Sequence, residues 1–253
     1  MSIERFALTG KIAIVAGASR GIGKAIAIGF AEAGADVAVC SRKIENVQPV
    51  AEEIEKLGRR SLAFAAEVTQ REEIERFVMD VMAKFGRIDI LVNNVARSIM
   101  SPVMNLREDG WDKIINTNLK SYFLFAQVVG QIMMGQGSGV IINISSVAGQ
   151  KAAPLLGAYS VSKAGVDMLT KVLAKELGGV GIRVNAISPG MVETKFSEAI
   201  WSNPEMHVEV VRGIPIGRLA RTDEIVGIAI FLASNAASYV TGAIINVDGG
   251  SLT

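Results

Sequence analysis

The chain has 253 residues, half of them hydrophobic, with 26 Lys plus Arg against 25 Asp plus Glu and a formal net charge of +1. That length suits one domain of the larger kind, and the apolar share excludes disorder. The balanced charge gives no reason to expect nucleic acid or an acidic membrane surface as partner.

One cysteine, Cys40, and one histidine, His207, leave no intrachain disulfide and no Cys/His zinc cluster, so no metal is expected. No serine motif points to His207, which argues against a Ser-His-Asp hydrolase. The opening MSIERFALTGK carries Glu4, Arg5 and Lys11 and does not read as a signal peptide. No apolar run is long enough to span a bilayer, and the expected location is cytoplasmic.

The first buried-strand pattern is IAIVAG from Ile12, short and nearly all apolar. GASRGIGKAIA follows, with Gly17, Gly21 and Gly23 between strand and helix. This suits a dinucleotide loop. Gly17 permits a tight turn, Gly21 lets the backbone approach a pyrophosphate, and Gly23 lets helix pack on strand. A glycine trio alone is weak evidence; its place between strand and helix strengthens it.

The second strand, DVAVC from Asp36, runs into Cys40, Ser41, Arg42 and Lys43. NAD enzymes carry an acid there for the adenosine ribose, and this turn has none. Arg20 lies on the same side of the sheet. Two guanidiniums and a hydroxyl suit a 2′-phosphate, which favours NADP(H) over NAD(H).

NVQPVAEEIEKLG predicts an amphipathic helix stopping at Gly58, and SLAFAA from Ser61 the third strand. REEIERFVMDVMAKFG sets Ile74, Phe77, Val78 and Val81 at helical spacing and stops at Gly86. IDILVNN from Ile88 is the fourth strand. In NTNLKSYF, Asn118 falls inside a helix that asparagine suits poorly, so its side chain is expected to bind a water or a backbone group.

GVIINIS from Gly139 is the fifth strand, with Ser146 at its end, where open α/β sheets bind ligands. AYSVSKAG then starts a helix with Tyr159 and Lys163 one turn apart on one face. An ammonium there is expected to lower the phenol from its usual pKa of about 10 and let tyrosine pass protons without histidine. IRVNAIS from Ile182, a helix opening at Thr222 with Asp223 and Glu224 in its first turn, and AIINVDGG from Ala243 complete the pattern. The alternation predicts a single-domain α/β Rossmann fold over 1–253, its mostly parallel, doubly wound sheet seven-stranded with helices on both faces.

Nearly end to end, from GKIAIVAGASRGIG to NVDGG, the chain resembles the short-chain dehydrogenase/reductase family. The residues that carry this are the glycine loop, Asn93-Asn94, Asn118, Ser146, Tyr159, Lys163 and Ser188 to Gly190. Within the family it most resembles NADP-dependent carbonyl reductases whose second strand ends in Ser-Arg, including retinol dehydrogenase/reductases and tropinone-reductase-like members.

The resemblance implies that Tyr159 is the acid in reduction and the base in oxidation. Lys163 tunes it and holds the nicotinamide ribose, Ser146 binds the substrate carbonyl, and Asn118 anchors a relay water. Asn93 supports the central sheet. The implied cofactor contacts are Gly17, Ser19, Arg20, Gly21, Ile22, Gly23, Ser41, Arg42, Lys43, Glu67, Val68, Asn94, Tyr159, Lys163, Pro189, Gly190, Val192 and Thr194, with Ile187 to Gly190 on the nicotinamide side. Three positions depart from the pattern: Ala16 replaces a threonine, Val95-Ala96 replaces Ala-Gly, and Glu67 replaces an aspartate.

The expected activity is hydride transfer between NADP(H) and a ketone, aldehyde or secondary alcohol. A loop over 191–217 covers the substrate. Its Met191, Phe196, Ile200, Trp201, Met206 and Val210 form an inner face for an apolar substrate, or simply pack the loop onto the core. A 3-oxoacyl reductase acting on acyl-carrier-protein or acyl-CoA thioesters is the alternative, although Arg212, Arg218 and Arg221 form no clustered basic patch. A nucleotide-binding protein without catalysis is the alternative of another class. The resemblance also implies a homotetramer, with the helices around Asn118 and Tyr159 between subunits.

Overall fold

A computed structural model of the chain describes residues 3–253. Seven strands form one sheet: β1 (Ile12–Ala16), β2 (Asp36–Ser41), β3 (Ser61–Ala65), β4 (Ile90–Asn93), β5 (Gly139–Ile144), β6 (Ile182–Pro189) and β7 (Ile244–Val247). Their order is β3-β2-β1-β4-β5-β6-β7, and every neighbouring pair is parallel. The winding reverses between β1 and β4, so the strand ends part there and leave a crevice at the carboxyl edge.

Successive residues of a strand point to opposite faces, and the apolar runs serve two cores in this way. Ala13, Val15, Val37, Val39, Ile90 and Val92 pack on one side. Helices α1 (Gly21–Glu32) and α2 (Ile44–Lys56) cover that side with Ile26, Phe30, Val47 and Ile54. Ile12, Ile14, Ala38, Cys40 and Leu91 pack on the other. There α3 (Arg71–Phe85) brings Ile74, Phe77, Val78 and Val81, as their spacing predicts.

Helix α4 (Glu108–Ile115) passes through a π turn at Asn116–Lys120 into α5 (Ser121–Gln136). Helix α6 (Gly157–Leu177) packs beside α5 and carries Tyr159 and Lys163. The segment after β6 holds α7 (Glu198–Trp201) and α8 (Pro204–Arg212), and α9 (Val226–Ala233) returns to the first core.

Two of the boundaries that differ from the sequence pattern have a visible cause. The fourth strand begins at Ile90 rather than Ile88, because Asp89 turns its carboxylate onto the Ile12 amide at 2.9 Å and caps β1 instead of extending β4. The last helix is preceded by a 3-10 turn, Thr222–Ile225, capped by Arg221: the Glu224 carboxylate accepts the Arg221 amide at 2.8 Å. Among the described residues no helix is long and apolar enough to cross a membrane, and no group of three or more His, Cys, Asp or Glu is placed to hold a metal ion.

Candidate active site

A cleft of about 940 Å³ opens along the carboxyl edge of the sheet. The glycine loop forms one end, and Ser146, Tyr159 and Lys163 stand in its wall. Gly17 and Gly21 take φ of +79° and +58°, a region that side chains resist, and both line the cleft with Ser19, Arg20 and Ile22. Gly23 does not line it. A methyl there would lie 2.3 Å from the Gly17 carbonyl and 2.4 Å from the Asn94 amide, so Gly23 serves the packing of α1 beneath the loop.

The loop lacks a threonine hydroxyl at Ala16, yet it is tied down. The amides of Gly17 and Ala18 donate to the Cys40 carbonyl at 3.0 and 3.3 Å, and Asn94 donates to the Gly17 carbonyl at 2.9 Å. Val95 fits because Gly17 has no side chain: a Cβ on Gly17 would approach Val95 to 3.0 Å. Burial pushes the Cys40 thiol up to about 12, which leaves it an inert packing group.

Ser41, Arg42, Glu67 and Val68 line the same end. Among the described residues neither Arg20 nor Arg42 has an ion-pair partner. Lys43 does not line the cleft wall, and its ammonium lies 3.6 Å from Glu45. The Ser41 hydroxyl donates to the Lys43 carbonyl at 2.9 Å and keeps only its lone pairs for a ligand. Glu67 accepts from the Thr69 hydroxyl at 3.0 Å and so braces the entry to α3. At the other end, Pro189, Gly190, Val192 and Thr194 line the wall, whereas Ile187 is in the first core.

Ser146 follows β5 and caps a short turn, its hydroxyl accepting the Ala148 amide at 3.1 Å. Gly149 in that turn lies flat on α6, where a Cβ would sit 2.8 Å from the Lys163 carbonyl carbon. This contact sets Ser146 beside Tyr159, whose phenol it hydrogen-bonds. Gln150 ties the same turn to Ser188 at 2.9 Å and to Asn246 at 2.7 Å.

The expected lowering of the Tyr159 pKa is not found. Burial pushes the phenol up to about 12, against a smaller downward pull from Ser146. The reason is geometric. Lys163 Nζ lies 5.7 Å from the Tyr159 ring centroid and donates instead to the Ile144 carbonyl at 2.7 Å. Burial brings Lys163 itself down to about 7, opposed by the Asp167 carboxylate.

Asn118 sits behind the site and ties its elements together. It is fully buried in the π turn and absent from the cleft wall. Its side chain accepts the Arg97 amide at 2.8 Å and donates to the Arg97 carbonyl at 2.9 Å and to Ser162 at 3.0 Å. The side chain thus clamps the Arg97 backbone to α6, as an asparagine inside a helical stretch suggests.

A family model described as enoyl-(acyl carrier protein) reductase matches residues 17–251. The chain belongs to the short-chain dehydrogenase/reductase family. Among its relatives, 2-dehydro-3-deoxy-D-gluconate 5-dehydrogenase of Pseudoalteromonas atlantica is 39% identical over 249 residues, 98% of each chain. The 3-oxoacyl-(acyl-carrier-protein) reductase FabG of Thermotoga maritima is 41% identical over 244 residues, 96% of this chain and 98% of its own. The crystal structure of a gluconate 5-dehydrogenase from Burkholderia cenocepacia in complex with NADP and tartrate superposes with a TM-score of 0.95 at 34% identity, covering 98% of both chains. These names come from sugar-acid and acyl-thioester chemistry rather than from the retinol and tropinone reductases that the second strand suggests.

Met191, Phe196 and Ile200 line the cleft, and the Phe196 ring centroid stands 5.7 Å from that of Tyr159. Trp201, Met206 and Val210 do not line it; Trp201 donates to the Thr194 carbonyl at 2.9 Å and holds the loop's base. Gly149, Gln150, Ser162 and Tyr122 bear on the site without a local signature in this family member, since each acts through a contact with a distant segment.

Proposed function

We propose that this chain is an NADP(H)-dependent oxidoreductase moving hydride between the nicotinamide and a ketone, aldehyde or secondary alcohol. One observation carries the reading: the Tyr159 phenol, bonded by Ser146 and underlain by Lys163, shares one cleft with the glycine loop. The residues fit a dinucleotide. The loop is side-chain-free at Gly17 and Gly21, and α1 opens without an acidic residue in its first turn. Arg20 and Arg42 stand unpaired where an acid for a free ribose is missing. The NADP in the Burkholderia relative supports the same choice.

Bound NADPH supplies the hydride. Tyr159, held protonated through neutrality by burial, donates to the carbonyl oxygen as charge builds there, and Ser146 donates to the same atom. Oxidation requires the phenol to lose its proton first. Reduction is therefore favoured near neutrality and alcohol oxidation gains as pH rises. Lys163 is assigned to the nicotinamide ribose, with Pro189, Gly190, Val192 and Thr194 on the nicotinamide side.

Leu156 and, from the segment 191–217, Met191, Phe196 and Ile200 line the cleft, with the Phe196 ring beside that of Tyr159. This favours a carbonyl compound with an apolar body. The relationship to the Thermotoga enzyme favours a second reading, a 3-oxoacyl thioester, whose chain is also apolar. Arg218 and Arg221 are engaged by Glu224 and Asp223 and offer no free basic patch for an acidic carrier. A homotetramer is supported by exposed Phe123 on α5 and by Val161, Met168 and Val172 on α6.

Tyr159→Phe should lower carbonyl reduction by roughly a hundredfold or more while leaving NADPH affinity nearly unchanged. The measurement is steady-state turnover over a panel of apolar ketones, aldehydes, acyl thioesters and sugar acids. Near-normal turnover by the variant removes Tyr159 as the acid. A sugar acid as the best substrate would overturn the apolar assignment. NADPH binding with no turnover by the unaltered protein would make it a nucleotide-binding protein.

A further inference from the structure

Two tyrosine rings flank the Lys163 ammonium. Nζ lies 5.1 Å from the Tyr122 ring centroid and 5.7 Å from that of Tyr159. It donates to the Ile144 carbonyl at 2.7 Å and to the Tyr122 hydroxyl at 3.4 Å. The Tyr122 hydroxyl donates to that same carbonyl at 3.1 Å, so its own proton is committed and its lone pairs face the ammonium. Both side chains are 1% exposed, and water does not compete for these bonds.

We propose that Tyr122 is the positioning residue of Lys163: its hydroxyl and ring face hold the ammonium on the Ile144 carbonyl, beneath the Tyr159 ring. The groups facing Lys163 are Tyr159 and Asp167 on α6, Tyr122 on α5 and the Ile144 carbonyl of β5. Asp167 is the one charged group among them. Burial has already brought Lys163 down to about 7. A hydroxyl acceptor and a π face both favour the charged form. Removing them therefore lowers Lys163 further and empties the ammonium near neutrality.

The consequence for turnover rests on the proposed role of Lys163; the positioning itself does not. Tyr122→Phe keeps the ring and deletes the hydroxyl, and Tyr122→Leu deletes both. Lysine side chains labelled with 13C and 15N report the Lys163 titration by NMR in the cofactor-free protein, with Lys163→Arg assigning the signal. The Lys163 midpoint should fall by about one unit in the Phe variant and further in the Leu variant, a tenfold loss of ammonium above the midpoint per unit. The kcat profile against pH should move with it. An unmoved midpoint in both variants, even with a lowered Tm, makes Tyr122 a core residue only and overturns the assignment. A shifted midpoint with an unmoved kcat profile upholds the positioning and removes Lys163 from the proposed chemistry.

Discussion

Arg42 stands in the cleft wall at the turn after β2, where the chain offers no carboxylate. A guanidinium there has two consequences: it can fork onto a 2′-phosphate, and it gives nothing specific to a bare ribose. Arg42→Ala should weaken NADPH by roughly ten- to a hundredfold, the range of a lost charged hydrogen bond, and NADH far less. Titration of nicotinamide fluorescence with each cofactor measures this. An equal effect on both would defeat the 2′-phosphate assignment. At this scale the sequence was informative about which residues meet but not about how they are tuned. Tyr159 and Lys163 share a face because four residues make one helical turn. The direction of the phenol's pKa depends on where Nζ goes, and the Ile144 carbonyl, nineteen residues upstream on another element, captures it.

The strand-turn-helix unit from β1 to α1 works because the helix comes very close to the strand. Gly23→Ala would drive a methyl against the Gly17 carbonyl and the Asn94 amide, backbone and amide groups that have no slack. Overpacking of this kind costs about 1–3 kcal/mol, which lowers Tm by roughly 2–4 °C per kcal/mol in a chain of this size. Thermal unfolding checks the first effect. NADPH titration checks the second, a weaker affinity as the loop shifts; unchanged Tm and affinity would show that α1 has room to move. Strands and amphipathic helices were legible because buried two-sided strands and 3.6-residue periodicity leave plain marks. The π turn around Asn118 was legible only as an awkward asparagine. The backbone its side chain clamps, that of Arg97, lies twenty-one residues away.

For the whole molecule, the exposed apolar residues of α5 and α6 form the surface that a homotetramer would bury. Light scattering should give four times the 26.8 kDa chain, and Met168→Glu with Val172→Glu should reduce that mass. A monomer from the unaltered chain would refute the tetramer. The sequence by itself determined the sheet, its seven strands, the glycine loop and the Tyr-Lys pair, because each is written in contacts between near neighbours along the chain. Only the tertiary structure decided that the Asn118 side chain bonds the Arg97 backbone, that Lys43 pairs with Glu45, that Trp201, Met206 and Val210 stand outside the cleft wall, and that Tyr122 meets Lys163. Those outcomes depend on which distant groups arrive at hydrogen-bonding distance, and burial then sets the charge of whatever they enclose.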